Sequence, residues 1–317
     1  MKRRPLGRSG LEVAPLAFGG NVFGWTVDEP TAFRLLDTFT EHGFNLVDTA
    51  DVYSKWAPGN SGGESETVMG RWIALGGGRR EKIVLATKVG MEMPGGKKGL
   101  ARDYIAQAVE DSLKRLRTDR IDLYQAHAED PATPIDETLE AFSRLVRDGK
   151  VQAIGASNYV AESLTAAEDA AQRLGLPRYE SLQPQYNLYA RQDYEEKLAP
   201  TCARLGLGVI PFWALASGFL TGKYRTDADL AQSPRGAGMK KYMNERGMGI
   251  LAALDQVAKA KHAKSSQVAL AWLMSRPTVT APIASATTIA QLRELMAAAE
   301  LTLDAESLAL LDDASAY

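Results

Sequence analysis

The feature that most constrains the fold is an alternation, along the whole chain, between short apolar runs and longer stretches with helical period. Apolar runs of this kind predict strands buried on both faces, which pair in parallel because the intervening helices cover the sheet. The predicted strands cover residues 13–18, 44–48, 83–88, 121–127, 151–157, 181–186, 208–212 and 279–284. Eight strand–helix units within 317 residues favour a (β/α)8 barrel in a single domain, residues 1–317. A doubly wound open sheet is the structural alternative.

The best-defined predicted helix covers residues 134–148. Its apolar side chains share one face because they are separated by four, three and four positions, at Ile135, Leu139, Phe142 and Val146. Thr133 is the expected N-cap, Pro134 the expected first helical residue, and Gly149 follows the predicted end. A similar but less regular pattern predicts a helix within residues 101–117.

Two segments interrupt the alternation. Residues 2–12 contain a Gly-Arg-Ser-Gly turn, which predicts a small hairpin before the first barrel strand. Residues 213–245 are long, glycine-rich and charged. A connection of that length in a compact domain is typical of a functional or mobile loop.

Composition excludes several classes of protein. A formal net charge of −2 gives no general attraction to nucleic acid or anionic lipid. Cys202 is the only cysteine, which excludes an intrachain disulfide and favours a reducing compartment. The start MKRRPLGRSGLEV lacks the apolar segment of a signal peptide, and no run approaches the ~18 apolar residues of a membrane span. We therefore expect a cytoplasmic protein with no membrane or nucleic-acid partner, and the dispersed histidines give no reason to expect a metal site.

Polar side chains occur where several predicted strands end. Asp48 ends the second strand, Lys88 the third and His127 the fourth, while Tyr53 follows Asp48 by five residues. Each residue has an ordinary alternative explanation, as a helix cap, a solvated lysine, a core histidine and a surface aromatic residue. In a parallel barrel, however, all carboxyl ends meet at one rim, where barrel enzymes carry out their chemistry. We therefore expect the four side chains to lie together.

These four residue types suit proton transfer to a carbonyl oxygen. A tyrosine has an ordinary pKa near 10 and is a poor acid at neutral pH. The Lys88 ammonium is expected to lower the pKa of Tyr53, and the Asp48 carboxylate is expected to hold the lysine. A neutral His127 imidazole is expected to orient the carbonyl group beside the phenol.

The chain resembles the aldo-keto reductases nearly from end to end. The resemblance is carried by DTADVY (residues 48–53), VEDSLKRLRTDRIDLYQAH (109–127), GASN (155–158), LQPQYN (182–187) and FWALASGFLTGKY (212–224). SGGESETVMG and the late QLRE also fit. The resemblance implies a catalytic tetrad of Asp48, Tyr53, Lys88 and His127. Within the aldo-keto reductase family, the sequence most resembles the bacterial general reductases.

The resemblance also implies that a nicotinamide dinucleotide binds in extended form across the rim, with residues 213–245 as a loop on the cofactor side. Ser157, Asn158 and Gln183 would hold the carboxamide, and Phe212 or the adjacent Trp213 would stack on the nicotinamide. Four residues would contact the pyrophosphate: Leu215, Ser217, Gly218 and Lys223. Trp25 and Trp56 are expected to join Tyr53 in the wall of the substrate pocket, with surface packing as the alternative.

The end of the last predicted strand departs from the family pattern. Many relatives place a basic residue there for the 2′-phosphate of NADP, whereas this chain reads Ile-Ala-Ser-Ala-Thr-Thr over residues 283–288, and the first cation is Arg293. Loss of a charged partner weakens phosphate binding. The hydroxyls of Ser285, Thr287 and Thr288 would substitute in part, and Ser285, Thr287 and Gln291 are expected to contact the cofactor. The resemblance therefore implies NADP(H), with NAD(H) as the alternative.

The leading functional hypothesis is NAD(P)H-dependent reduction of small aldehydes or ketones, with Tyr53 as the general acid. A second hypothesis is an aldolase or lyase that uses Lys88 as a Schiff-base nucleophile. A third is a redox-sensing nucleotide-binding subunit, because the β subunits of voltage-gated potassium channels resemble the same family. The physiological substrate and the oligomeric state are not indicated by the sequence.

Overall fold

The computed structural model describes residues 1–233 and 235–317. Its strands are β1 (Arg4–Pro5), β2 (Glu12–Val13), β3 (Ala17–Gly19), β4 (Leu46–Asp48), β5 (Val84–Val89), β6 (Ile121–Ala126), β7 (Val151–Ser157), β8 (Tyr179–Gln183), β9 (Gly208–Val209) and β10 (Ile283–Ala284). Its helices are α1 (Glu29–Glu41), α2 (Glu64–Ala74), α3 (Arg102–Leu116), α4 (Ile135–Arg147), α5 (Ala161–Leu174), α6 (Ala199–Leu205), α7 (Glu245–Ala260), α8 (Ser265–Met274), α9 (Ile289–Ala297) and α10 (Ala305–Ala314).

Eight parallel strands form one curled sheet in the order β10-β3-β4-β5-β6-β7-β8-β9. A parallel bridge between Val209 and Val279 joins the two ends of this order, and the Thr280 amide donates to the Val209 carbonyl over 2.8 Å. These contacts bring the segment before β10 against β9. The predicted (β/α)8 barrel is therefore confirmed.

The barrel has two apolar layers. One lies inside it and includes Leu46, Leu123 and Ile210, together with Leu6 and Val13 from the amino-terminal segment. The larger layer lies between the strands and the surrounding helices. The predicted hairpin is confirmed as antiparallel β1 and β2, with Arg4 opposite Val13. It lies at the amino end of the barrel, since the Arg8 amide donates to Glu180 at the start of β8 over 2.8 Å.

Several predicted boundaries were wrong. Val13 belongs to the hairpin instead of the first barrel strand, which begins at Ala17. The four prolines placed inside predicted strands all lie outside the observed ones, because proline has no amide hydrogen to donate to a neighbouring strand: Pro15, Pro184, Pro211 and Pro282.

The helix predicted over residues 134–148 forms as α4, but its start differs from the prediction. Pro134 occupies the N-cap position, and the Thr133 hydroxyl donates to Asp130 over 2.6 Å. Gly149 follows the helix with φ of 72°, a left-handed conformation in which glycine is favoured.

The long segment 213–245 contains three 3-10 helical stretches and leads into α7. They cover Ala216–Thr221, Asp227–Gln232 and Gly236–Tyr242. Its first part is sharply turned, with positive φ at Trp213, Ala216, Ser217, Gly218 and Gly222. Left-handed backbone at non-glycine residues is costly and often marks a functional turn.

Candidate active site

The strand ends bring the predicted polar residues to one rim. Asp48 is the last residue of β4, and Lys88 lies near the end of β5. His127 follows β6 directly, and its amide donates to the Val89 carbonyl over 2.8 Å. Tyr53 reaches the same place from the turn after β4, with its ring centroid 5.8 Å from that of His127.

Lys88 is the centre of this cluster. Its side chain is fully buried, and its Nζ lies 2.7 Å from Asp48 Oδ2, 2.8 Å from the Thr49 carbonyl oxygen and 2.8 Å from Tyr53 Oη. These three acceptors match the three donors of an ammonium group. Burial lowers the pKa of Lys88, and the Asp48 carboxylate opposes that effect.

The pKa of Tyr53 is raised in the structure, not lowered as the sequence predicts. Burial and then the Asp48 carboxylate raise the pKa of Tyr53 well above its ordinary value. The resting phenol therefore keeps its proton, because withdrawal from water and the neighbouring carboxylates both disfavour the phenolate. The Lys88 hydrogen bond to the phenol oxygen would matter once the proton has left.

His127 is almost completely buried, and its Nδ1 has no hydrogen-bond partner in the described part of the chain. Burial, followed by the Lys88 ammonium, lowers the pKa of His127 well below its ordinary value. The imidazole is therefore neutral at physiological pH, as the sequence analysis expects.

Gln125 is a member of the cluster that the sequence analysis missed. It is fully buried in β6, and its Nε2 donates to Asp48 Oδ1 over 3.3 Å. Gln183 also donates to Asp48 Oδ1, over 2.8 Å, so two amides fix the carboxylate that holds Lys88. Gln125 precedes His127 by two positions, and strand alternation alone would have placed both on one face.

A large cavity of about 1480 Å³ opens at this rim. Lys88 lies behind its wall, and Thr288 caps α9 outside it. The wall contains the other predicted site residues: Asp48, Tyr53, His127, Ser157, Asn158, Gln183, Phe212, Trp213, Leu215, Ser217, Gly218, Lys223, Ser285, Thr287, Gln291, Trp25 and Trp56. The structure therefore brings together residues that are separated by more than half of the chain.

Three cations in the cavity wall suit an anionic ligand. Lys223, Arg235 and Lys264 line the cavity, and none forms an ion pair within residues 1–233 and 235–317. Arg235 and Lys264 were not identified in the sequence analysis, because they lie outside the recognised motifs. Of the predicted contacts, Ser285 Oγ lies 2.8 Å from the Gly19 carbonyl, and Thr287 donates to Gln291 over 2.9 Å.

The carboxamide-contacting candidates are already oriented by internal hydrogen bonds. Ser157 Oγ donates to the Gln183 carbonyl over 2.9 Å, and Asn158 Nδ2 donates to the His127 carbonyl over 2.9 Å. Asn158 has a φ of 55°, a left-handed conformation that asparagine tolerates. Among the described residues, nothing donates a hydrogen bond to the side-chain oxygens of Asn158 and Gln183, which leaves them free to accept from a ligand amide. The wall therefore fits a nucleotide with an amide at one end and phosphates along its length.

The fold and this rim define the class of protein, a (β/α)8 barrel with a polar cavity at the carboxyl ends of its strands. The chain belongs to the aldo/keto reductase family, whose model matches residues 15–316.

Several curated proteins are similar over nearly the full length. An uncharacterized oxidoreductase, YrpG, of Bacillus subtilis is 39% identical over 97% of this chain and 94% of its own length. A probable voltage-gated potassium channel subunit beta of Arabidopsis thaliana is 35% identical over 95% of this chain and 92% of its own. The aldo-keto reductase AFTS1 of Alternaria alternata is 33% identical over 98% of this chain and 90% of its own length.

No helix within the described ranges has both the length and the apolar character needed to cross a bilayer.

Proposed function

We propose that the protein reduces small aldehydes or ketones with NAD(P)H, and that Tyr53 supplies the proton. The observation that carries this proposal is the contact of Lys88 Nζ with both Tyr53 Oη, at 2.8 Å, and Asp48 Oδ2, at 2.7 Å. It joins a proton donor to a fixed cation at the mouth of a cavity. When bound, the nicotinamide supplies the hydride.

The residues of this chain would divide the remaining work. Tyr53 would donate its hydroxyl proton to the carbonyl oxygen, and the Lys88 ammonium would stabilise the resulting phenolate through its hydrogen bond. His127, as a neutral imidazole, would hold the carbonyl oxygen in line with the phenol. Ser157, Asn158 and Gln183 would bind the carboxamide.

The substrate end of the cavity has an aromatic wall. The ring centroids of Tyr53 and Trp56 are 5.9 Å apart, and those of Trp56 and Trp25 are 5.8 Å apart. Trp56 is 49% exposed, so it leaves apolar area for a substrate to cover. This supports carbonyl compounds with an apolar body as substrates.

The geometry disfavours Lys88 as a Schiff-base nucleophile. All three ammonium donors are engaged, and the side chain lies behind the cavity wall with no exposed surface. A nucleophilic lysine must present a neutral amine to its substrate. A nucleotide-binding redox sensor is the second candidate, supported by the similarity to potassium channel β subunits. Slow nucleotide release without repeated turnover would favour that candidate.

The test is a titration of NADPH and NADH against a panel of aldehydes and ketones, followed by nicotinamide absorbance. Tyr53→Phe removes the proton donor but leaves the cavity shape, so we expect at least about a hundredfold loss of carbonyl reduction. The nucleotide Kd, measured by tryptophan fluorescence, should change little. A parallel loss of turnover and nucleotide affinity would contradict the assigned role of Tyr53.

A further inference from the structure

Asp51 is a buried carboxyl group that the proposed mechanism does not use. It is 2% exposed, and neither of its side-chain oxygens has a hydrogen-bond partner within the described residues. Its backbone amide donates to the Lys88 carbonyl over 3.3 Å, which holds Asp51 next to the β5 strand end. An ionised carboxylate in such a place is costly because the Val52 amide and the two nearby cations replace its lost hydration only in part.

The buried carboxylate that acts most strongly on Asp51 already engages the local donors. Glu66 of α2 is fully buried, accepts from the Thr87 hydroxyl over 2.6 Å and accepts from Arg115 Nε over 2.7 Å. Arg115 also donates to the Ser112 hydroxyl over 3.2 Å. Asp51 therefore faces a like charge whose cation is committed elsewhere.

The groups around Asp51 come from every neighbouring element. They are Asp48 of β4, Tyr53 of the following turn, Glu66 of α2, Lys88 of β5, Tyr104 and Arg115 of α3, and Tyr124 of β6. Lys88 pairs with Asp48, and Arg115 pairs with Glu66. Because both cations are already paired, Arg115 and Lys88 offset the negative charge of an ionised Asp51 only in part. The Tyr124 hydroxyl, also buried and without a partner among the described residues, offers no cation.

We propose that Asp51 is a positioning residue that rests as the neutral acid behind Lys88, and that its ionisation weakens Tyr53 as a proton donor. The second half of this inference rests on the proposed carbonyl reduction. Burial, and then the Glu66 carboxylate, raise the pKa of Asp51 to about 8, while Arg115 opposes them. An ionised Asp51 adds to the burial and the Asp48 charge that raise the pKa of Tyr53.

The first test is the pH profile of kcat/KM for carbonyl reduction. In the unmodified protein, activity should fall by up to about tenfold as the pH passes about 8, because the negative charge of Asp51 raises the pKa of Tyr53 and so makes it a weaker acid. Asp51→Asn keeps the shape and the neutral state, so the decline should disappear. A merely structural role would lower activity equally at every pH. Superimposable profiles of Asp51→Asn and the unmodified protein would overturn the proposal.

Glu66→Gln should shift the activity decline to lower pH, whereas Asp51→Asn should remove it. Removal of the like charge and release of Arg115 should let Asp51 ionise more easily, so the decline should move to lower pH. No movement, or movement to higher pH, would contradict the electrostatic link. Because Glu66 is buried, thermal unfolding should first establish that this variant is folded.

A second measurement needs no activity. Infrared spectra of the protein with carboxyl-13C aspartate should show one protonated acid that ionises near pH 8 and is absent in Asp51→Asn. Ionisation of that group in the ordinary aspartate range would overturn the neutral resting state, even in an active enzyme. Conversely, a protein that shows this titration but reduces no carbonyl compound would refute the proposed function and leave the protonation state of Asp51 established.

Discussion

At the scale of single residues, the proposed chemistry depends on how one lysine shares three hydrogen bonds. Lys88 contacts a carboxylate at the end of β4, and a backbone carbonyl and a phenol from the turn that follows it. The Thr49 carbonyl fixes the third donor, so the ammonium cannot turn away from Tyr53 without losing a bond. Charge-assisted hydrogen bonds of this kind are roughly twice as strong as neutral ones, which keeps the cluster ordered.

Lys264 is the residue that we expect to favour NADP(H) over NAD(H). It lies at the start of α8 and lines the same cavity as Ser285 and Thr287, whose hydroxyls are predicted to contact the 2′-phosphate. Lys264→Ala should raise the Kd for NADPH by about tenfold and leave the Kd for NADH nearly unchanged, because only NADPH carries the extra phosphate. Fluorescence titration with both nucleotides measures this difference.

Arg293 provides the matched control. It is the first cation after the last strand, but it is exposed and does not line the cavity. Arg293→Ala should leave both Kd values unchanged. If both substitutions raised the Kd for NADPH equally, the cause would be a general effect of surface charge instead of a specific contact.

At the scale of elements, α2 packs tightly against the end of α3 at Gly70. A Cβ at this position would lie 1.9 Å from the Arg115 carbonyl oxygen and 2.7 Å from the Leu116 carbonyl carbon. Both are backbone atoms, so one helix would have to move. This contact lies beside Glu66 and Arg115, and the spacing of the two helices therefore also sets the surroundings of Asp51.

Gly70→Ala should lower the free energy of unfolding by about 1–3 kcal/mol, because the extra methyl group overpacks the contact between the helices. Denaturant unfolding measures the change. Gly249→Ala is the matched control: Gly249 lies on the exposed side of α7 with no atom within 4 Å of an added Cβ. There, the same substitution should increase stability by about 0.5–1 kcal/mol. Similar effects at both positions would refute the packing explanation.

At the scale of the whole molecule, the two ends of the barrel have separate tasks. The amino end is closed by the hairpin, where Leu6 is fully buried against the interior layer of the barrel. Arg4 Nη1 donates to the Val279 carbonyl over 3.1 Å and links the hairpin to the segment that closes the sheet. The carboxyl end carries the cavity. Stability and chemistry are thereby placed at opposite ends, as is usual for this fold.

Leu6→Ala should therefore destabilise the protein by about 2–5 kcal/mol through the cavity that it leaves. Well below the melting temperature, kcat should be unchanged. Leu75→Ala, at a leucine that is 57% exposed, should change stability by less than about 0.5 kcal/mol. A large loss of kcat in folded Leu6→Ala would show that the hairpin influences the rim.

Much of the architecture follows from local pattern. The alternation predicted the parallel barrel, and the barrel in turn predicted that Asp48, Lys88 and His127 meet at one rim. Strand ends were predicted less well, because the positions where pairing stops depend on neighbours that are distant in sequence, as at Val13. The roles assigned to the cofactor-contacting residues stay predictions, although the cavity brings those residues together.

The sequence by itself determined the order of the elements and the rim at which the polar residues gather, because both follow from periodicity and from the direction of parallel strands. Only the tertiary structure decided the protonation states. Burial raises the pKa of Tyr53, which is opposite to the lowering expected from its neighbouring lysine. Burial also raises the pKa of Asp51, to about 8. Burial depends on what packs around a group from other elements, and the linear order of residues does not contain that information.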